Sequence, residues 1–129
     1  MENLNEPGHW DISTRLLEAY PPDYVGFCYD SGHGNEGEDG LAYLEHLKER
    51  LIAVHLHDND GTADQHLIPF TGTVDWDRLA QIHSRSSYAG PVNIETVMHR
   101  TGLTDEDEFL ARTYAAAARI HHLIEQHNP

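Results

Sequence analysis

Three histidines and three aspartates lie within the thirteen residues from 54 to 66. They follow an apolar run at residues 51–54, which is typical of a strand buried on both faces. Because alternate side chains of a strand share a face, we expect His55 and His57 to point the same way, so that one or both reach a common point. Imidazole and carboxylate groups together suit a borderline divalent cation such as zinc or manganese. The alternative is a polar strand end whose histidines are solvated or hydrogen-bonded.

A potential ligand also ends each of the predicted strands. Asp30, with His33 just beyond it, ends the first strand, His57 the second and Glu95 the third. Glu2 can stand at the end of a fourth strand. In parallel α/β architectures the carboxyl ends of neighbouring strands lie side by side, and chemistry collects there. The three successive ligand types therefore predict one shared metal site.

The elements that position these residues alternate along the chain. Apolar spacing predicts helices at residues 12–20, 41–50, 76–83 and from 104 almost to the C-terminus. Apolar runs predict strands at residues 24–29, 51–54 and 92–95. Asp11 and Thr104 are the expected N-caps of the first and last helices. The alternation of helices and strands predicts parallel βα units.

The composition favours one acidic domain in a reducing compartment. The 129 residues carry a formal charge of −14, and the eight Lys and Arg residues are scattered, which disfavours binding to nucleic acids. Cys28 is the only cysteine, so no disulfide framework can form. We see neither a signal-peptide pattern nor an apolar run long enough to span a membrane. The expectation is a cytoplasmic protein with no nucleic-acid and no membrane partner.

Six short motifs follow one another in order: Glu2-Asn3-Leu4, Gly26-Phe27-Cys28-Tyr29-Asp30-Ser31-Gly32-His33, His55-Leu56-His57-Asp58-Asn59-Asp60-Gly61, Asp64-Gln65-His66, Gly72-Thr73-Val74-Asp75-Trp76 and Ile94-Glu95. In this order they resemble the sugar isomerases and epimerases with a xylose isomerase-like TIM barrel. That family also contains the endonuclease IV type of DNA-repair enzyme. The resemblance implies the C-terminal half of a (β/α)₈ barrel, with about four parallel βα units and outer helices, as one partial domain over residues 1–129.

The resemblance also implies a divalent metal ion (Mn, Zn, Co or Mg). Carried over residue by residue, its ligands are Glu2, Asp30, His57 and Glu95. His57 is chosen because family members place this ligand three residues before the aspartate that matches Asp60. His55 is then a supporting or packing residue.

Four residues are predicted to contact substrate. His33 matches a position that contacts substrate in the epimerases and a second metal in the endonucleases. Asp64 and His66 resemble the Asp-x-His that holds a further metal in the endonuclease branch, and in sugar-acting members the same loop contacts substrate. Arg100 follows the last strand closely and suits a substrate phosphate or carboxylate. Phe70 departs from the family, which usually has a small residue there, often glycine.

The implied function is a metal-dependent isomerase or epimerase that acts on a sugar or sugar phosphate through an enediolate. Glu2 and Glu95 would exchange the proton from opposite sides of the substrate. A first alternative is an endonuclease IV-like phosphodiesterase, which His33, Asp64 and His66 support. A second alternative, from another class, is a non-catalytic metal-binding or assembly module.

The length of the chain adds an expectation about partners. A closed barrel of eight units needs about 250 residues, so this chain supplies roughly the last four units. A half barrel leaves two strand edges and an apolar face uncovered. We therefore expect a fragment of a longer enzyme, a homodimer of half barrels, or a chain that complements a separate N-terminal half. These alternatives differ on whether the chain is active alone.

Overall fold

The computed structural model describes residues 1–6, 8–37 and 39–128, and in them helices follow each of the two strands, with one short helix (Ser31–Glu36) beyond those that the sequence predicts. The helices are α1 (His9–Ala19), α2 (Ser31–Glu36), α3 (Gly40–Leu47), α4 (Trp76–Ser84) and α5 (Glu106–His127). The strands are β1 (Phe27–Asp30) and β2 (Leu51–His55). Single 3₁₀ turns precede β2 (Lys48–Arg50) and α5 (Met98–Arg100).

The strands and their extensions are parallel. β1 pairs with β2, Glu2 forms a parallel bridge with Cys28, and Ile94 forms one with Leu56. The predicted strand at 92–95 is reduced to this bridge, which consists of the hydrogen bonds from Leu56 N to Asn93 O and from Glu95 N to Leu56 O. Four parallel segments therefore lie side by side, and their carboxyl ends meet at one edge.

One hydrophobic core lies between these segments and the helices. Burying a large apolar side chain stabilises the fold by about 1.5–3 kcal/mol, so this layer holds the strand ends in place. Its fully or largely buried members include Leu17, Phe27, Tyr29, Leu44, Leu47, Leu51, Val54, Leu56, Trp76, Leu79, Ile82, Ile120 and Ile124.

The apolar stripe of α5 is covered only in its second half. The stripe that the sequence predicts consists of Leu110, Tyr114, Ala117, Ile120 and Ile124. Ile120 and Ile124 are buried, whereas Leu110 is 61% and Tyr114 is 77% exposed. The 22 residues of α5 extend about 33 Å and the nine of α4 about 14 Å, so α4 is too short to cover the whole stripe. Neither α5 nor another helix in the described residues has the length and apolarity to cross a membrane.

Two predicted helix caps differ in the structure. Helix α1 begins earlier than predicted, after Gly8 in the left-handed conformation (φ 78°), so Asp11 lies inside the first turn. Helix α5 begins one residue later than predicted, because the side chain of Asp105, and not that of Thr104, accepts a backbone N–H of the first turn. Both shifts leave the core faces of the two helices unchanged.

A buried histidine in α4 makes stability depend on pH. His83 is 7% exposed, and its ring packs edge-on against Tyr88 at 5.4 Å. Neither ring nitrogen has a hydrogen-bond partner among the described residues. Burial lowers the pKa of His83 below its ordinary value of 6.5. The imidazole must therefore stay neutral for the helix to pack.

We expect this residue to weaken the fold in mild acid. Because the folded pKa is lower than the unfolded pKa, the contribution of His83 is complete above pH 6.5 and is lost as the pH falls toward the folded pKa. The free energy of unfolding should fall by up to about 1.4 kcal/mol per pH unit through this residue. Urea unfolding of the parent and of His83→Leu across this range measures the difference. Equal slopes in the two proteins, or the same change in the exposed-site control His46→Leu, would contradict the assignment.

Candidate metal centre

Asp30 ends β1 and also begins α2. Its Oδ1 accepts the backbone N–H of His33 at 2.9 Å, which caps α2, a helix that the apolar spacing does not predict. Asn3 fixes the backbone of Asp30 from the neighbouring segment, since its Nδ2 donates to Asp30 O at 2.8 Å and its Oδ1 accepts from Asp30 N at 2.7 Å. The Asp-x-x-His spacing thus places both side chains at one strand end, with Glu2 beside them.

Four side chains from the four parallel segments form what we call the four-residue cluster: Glu2, Asp30, His55 and Glu95. They meet around the His55 ring. Its Nδ1 lies 3.2 Å from Glu95 Oε2, 3.5 Å from Glu2 Oε2 and 4.0 Å from Asp30 Oδ2. Three of its members, Glu2, Asp30 and Glu95, are among the four residues predicted from the sequence to be metal ligands.

The members of the four-residue cluster differ in their access to solvent. The Asp30 side chain is 1% exposed, whereas those of Glu2 and Glu95 are 31% and 46% exposed. His55 is intermediate at 32%. Asp30 therefore forms the floor of the cluster, and the two glutamates stand at its open side.

A second group, the three-residue cluster, consists of His57, Asp64 and His66. The rings of His57 and His66 stack with their centroids 4.0 Å apart. Asp64 Oδ2 lies 3.0 Å from His66 Nε2, and Asp64 Oδ1 lies 3.6 Å from His57 Nε2. One ligand atom from each residue lies within 4.8 Å of the other two.

His33 lies between the two clusters. Its Nδ1 is 3.4 Å from Glu2 Oε1 and 3.6 Å from Asp30 Oδ1, and its Nε2 is 3.8 Å from Asp64 Oδ2. It can therefore act with either cluster. The structure brings together seven of the predicted site residues, with His55 as an eighth.

The structure puts His55, and not His57, among Glu2, Asp30 and Glu95. Both histidines reach Asp30, as strand alternation predicts, with His57 Nε2 3.1 Å from Oδ1. The His57 ring, however, is fully buried and packs on Gly32, where a Cβ would stand 1.9 Å from ring Cε1. The geometry therefore favours His55 over His57 as the neighbour of Glu2 and Glu95, and which histidine binds a metal stays a prediction.

Arg100 supports the loop of the three-residue cluster. Its guanidinium donates to the carbonyl oxygen of Asp64. Two further contacts hold the same loop against the last parallel segment, from Val97 N to His66 O at 3.0 Å and between His66 Nδ1 and Glu95 O at 2.9 Å. The observed contact of Arg100 is thus with the protein's own backbone, and its role in binding substrate stays a prediction.

The electrostatics couple the two clusters through Asp30 and His57. Burial favours a raised pKa for Asp30, but the His57 ring and the His33 N–H outweigh it and hold the pKa below its ordinary value. Burial favours a lowered pKa for His57, but the carboxylates of Asp30 and Asp64 outweigh it and raise the pKa. The two pKa shifts thus have a common cause, because each group stabilises the charged form of the other.

Cys28 lies next to the four-residue cluster, although the sequence analysis does not include it among the candidate site residues. It precedes Asp30 by two residues on β1 and so faces the same way, which is the signal that could have identified it. A group formed by Glu2, Cys28 and His55 has its ligand atoms within 4.8 Å of one another. Burial, with Glu2 and Asp30 nearby, raises the pKa of the thiol to about 11, so the thiol is protonated near neutral pH.

The residues present fit a divalent cation. The Nδ1 atoms of His33 and His57 are buried with no hydrogen-bond partner among the described residues, which is costly unless another group binds there. Glu2, Asp30 and His33 form one compact donor group, and Asp30, His55 and Glu95 form another. Imidazole nitrogens with carboxylate oxygens suit zinc, manganese or cobalt. The four-residue cluster is thus a candidate metal centre.

Comparison with known proteins agrees with the fold. A family model described as xylose isomerase-like TIM barrel matches residues 1–124. Among curated proteins, the uncharacterized protein y4fM of Sinorhizobium fredii is 40% identical over 121 residues, which cover 93% of this chain and 39% of that protein. The uncharacterized protein MJ1311 of Methanocaldococcus jannaschii is 30% identical over 74 residues, which cover 55% and 25%.

A solved structure extends the comparison to three dimensions. The crystal structure of a D-tagatose 3-epimerase-like protein matches with a TM-score of 0.72 at 18% identity, over 98% of this chain and 46% of that one. At 18% identity this likeness shows the fold alone. The matched residues cover 39%, 25% and 46% of the three relatives, so the chain spans less than half of their length.

Proposed function

The chain belongs to the xylose isomerase-like TIM barrel family, and from this premise we propose that it acts as a divalent-metal-dependent isomerase or epimerase of a sugar or sugar phosphate. One observation carries the proposal. Two solvent-accessible carboxylates, Glu2 and Glu95, approach the same His55 nitrogen, and a third, buried carboxylate from Asp30 lies beneath them. Such a site can bind a cation and still leave two carboxylates for proton transfer.

Each residue then has a role that follows from its surroundings. A bound divalent metal would polarise a substrate carbonyl and so acidify the neighbouring C–H. Asp30, buried and fixed by its contacts with His33 and His57, would hold the metal, as would His55. Glu95, in its ionised form, would take the proton from the carbon beside the carbonyl, and Glu2, in its protonated form, would give its own proton to the carbon from the other side. After the step Glu95 carries the proton and Glu2 is ionised, so the two residues exchange roles in the reverse direction.

We expect Glu95→Gln to abolish turnover while leaving the fold intact. The amide keeps the size of the side chain but removes the base, and loss of general-base catalysis typically costs about 10²–10⁴-fold in rate. The name of the structural neighbour makes ketoses the first substrates to test. The metal-loaded chain is incubated in D₂O with a panel of ketoses, aldoses and their phosphates. NMR then detects deuterium at the carbon beside the carbonyl, whichever epimer or isomer forms.

A matched variant controls for the loss of one negative charge. Glu18→Gln makes the same change on the exposed face of α1, outside the clusters, and should exchange like the parent. Exchange at the parent rate in Glu95→Gln would refute the role of Glu95. No exchange with any substrate in the parent, despite bound metal, would favour the non-catalytic metal-binding module.

A metal-dependent phosphodiesterase related to endonuclease IV is the second candidate function. The three-residue cluster favours it, because His57, Asp64 and His66 offer a further donor group next to the first and His33 connects the two. Paired metals suit displacement at phosphorus. The formal charge of −14 opposes the approach of a nucleic acid. Incubation with abasic-site DNA separates the two functions, since strand cleavage there is expected of the phosphodiesterase alone.

We also propose that a complementary half barrel covers the open edges, supplied by a second copy or by an N-terminal half. Within the described residues, Glu2 and Ile94 each pair on one side only. Ile52 of β2 is 60% exposed, and so are Leu110 (61%) and Tyr114 (77%) of the α5 stripe. Unpaired strand edges and uncovered apolar side chains favour association. Light scattering of the chain alone, and exchange assays with an N-terminal half added, distinguish the two suppliers.

A further inference from the structure

A groove of about 550 Å³ lies outside both clusters, between α5 and the loop at residues 67–71. We call it the α5 groove. Its lining is mainly apolar, with Leu67, Ile68, Phe70 and Leu103 among its walls, and Arg112 and Arg119 from α5 line it as well. Pockets of this size bind small organic molecules, through apolar walls and a few placed polar groups.

The two arginines set the charge of the groove. They are two of only eight basic residues in a chain of net charge −14. Arg112 pairs with Glu108, one turn earlier on α5. Arg119 has no carboxylate within 4.0 Å and donates no hydrogen bond within residues 1–6, 8–37 and 39–128. Its donors are free to bind an anion, and the planar guanidinium suits a phosphate or carboxylate.

Phe70 fixes the position of Arg119. The guanidinium carbon lies 3.8 Å from the centre of the Phe70 ring, a cation–π contact that holds the arginine over the groove. Phe70 itself adopts a left-handed conformation with φ 72°, which a bulky residue rarely takes. Its N–H donates to Asp58 Oδ2 at 2.8 Å, and its ring contacts Trp76. Such local strain persists where the surroundings enforce it, and it clusters at ligand clamps.

The groove is separate from the open edge of the fold. Arg112 and Arg119 are seven residues apart and so lie on one stripe of α5. Leu110 and Tyr114, the exposed part of the apolar stripe, lie on the opposite side of the helix by the same periodicity. Covering Leu110 and Tyr114 would therefore not by itself cover the α5 groove.

We propose that the α5 groove binds a small organic anion, with an apolar body on the Phe70–Leu103 wall and a phosphate or carboxylate on Arg119 and Arg112. This site goes beyond the proposed function and does not depend on it. The apolar walls select the body and the arginines select the charged head. Neither an inorganic anion nor a neutral amphiphile satisfies both parts of the groove.

Titrations of the ¹⁵N-labelled full chain test this proposal. The probes are octyl phosphate, nonanoate, inorganic phosphate and octanol. We expect octyl phosphate or nonanoate to shift the amides of Phe70, Leu103 and Ala116, and the tighter of the two identifies the head group. Arg119→Gln should weaken binding about tenfold or more, whereas Arg15→Gln, an equal charge change on the exposed face of α1, should not.

Three results would overturn the proposal. In the first, neither amphiphilic anion binds the parent. In the second, octanol or inorganic phosphate binds as tightly as they do. In the third, Arg119→Gln binds like the parent or Arg15→Gln weakens binding equally. Glu95→Gln should leave the affinity of the groove unchanged, so failure of the proposed catalytic function and failure of this site give different results.

Discussion

His55→Asn is expected to weaken metal binding at the proposed metal centre by about 100-fold or more. His55 is the residue whose ring nitrogen all three cluster carboxylates approach, at 3.2, 3.5 and 4.0 Å. Without it, the three carboxylates lose the one imidazole that approaches all of them, whereas His33 contacts only Glu2 and Asp30 among them. Since loss of an indirect supporting contact already costs about 10–100-fold in metal affinity, loss of a ligand should cost about 100-fold or more.

His57→Asn should have a smaller effect on the same site. His57 contacts Asp30 at 3.1 Å, so it orients one ligand and balances its charge, but Glu2 and Glu95 surround the other histidine. We expect the tight site to persist with an affinity reduced about 10–100-fold. The further donor group with Asp64 and His66 should lose its metal in this variant.

Calorimetric titration of the metal-free chain with Zn²⁺ and Mn²⁺ measures both effects, and the Co²⁺ spectrum reports which ligand set is bound. His46→Asn, an exposed change on α3, is the matched control and should titrate like the parent. Circular dichroism checks that each variant is folded. A tight site that survives His55→Asn and disappears in His57→Asn would reverse the assignment and restore His57 as the direct ligand.

Of the substitutions proposed for this chain, we expect Asp58→Asn to lower the free energy of unfolding most. Asp58 is fully buried and accepts four hydrogen bonds. Oδ1 accepts from Asn59 N at 3.0 Å and Val74 N at 3.1 Å, and Oδ2 accepts from Phe70 N at 2.8 Å and Trp76 Nε1 at 2.9 Å. The Asp58 carboxylate therefore holds the loop that contains Asp64 and His66 against the start of α4.

An asparagine at position 58 would occupy the same space but could not accept all four hydrogen bonds. Whichever way its amide turns, the NH₂ group faces two donors, which are then buried without acceptors. Each such group costs about 1–3 kcal/mol, so the free energy of unfolding should fall by about 3 kcal/mol or more. Urea unfolding followed by circular dichroism measures this loss. Asp23→Asn, on the exposed segment before β1, should change nothing measurable, and a loss below about 1 kcal/mol in Asp58→Asn would contradict the account.

The sequence predicts the arrangement of the strands well because its signals are local. An apolar run followed by Asp30, and another followed by histidines, mark strand ends whether or not their neighbours are known. Parallel pairing follows from the helices between the runs, and it brings Glu2, Asp30 and Glu95 to one edge. The six motifs of the chain add the family, and the family model that matches residues 1–124 confirms it.

The tertiary structure alone decides which histidine joins those carboxylates. His55 and His57 are two residues apart on one strand, so periodicity gives them the same face and cannot tell which one lies among the carboxylates. The register of the β1–β2 pair decides this, because it places His55 opposite Asp30. Gly32 then receives the His57 ring, a contact across 25 residues that no local pattern contains.

The same reason explains the other features that sequence reasoning missed. The bonds of Asp58 to Phe70, Val74 and Trp76, the approach of Cys28 to Glu2 and His55, and the stacking of Arg119 on Phe70 all join residues far apart in the chain. Residue types and short spacings determine which elements form and which ends carry ligands. Which side chains meet at those ends depends on strand register and on side-chain packing, and these are set only when the whole core forms.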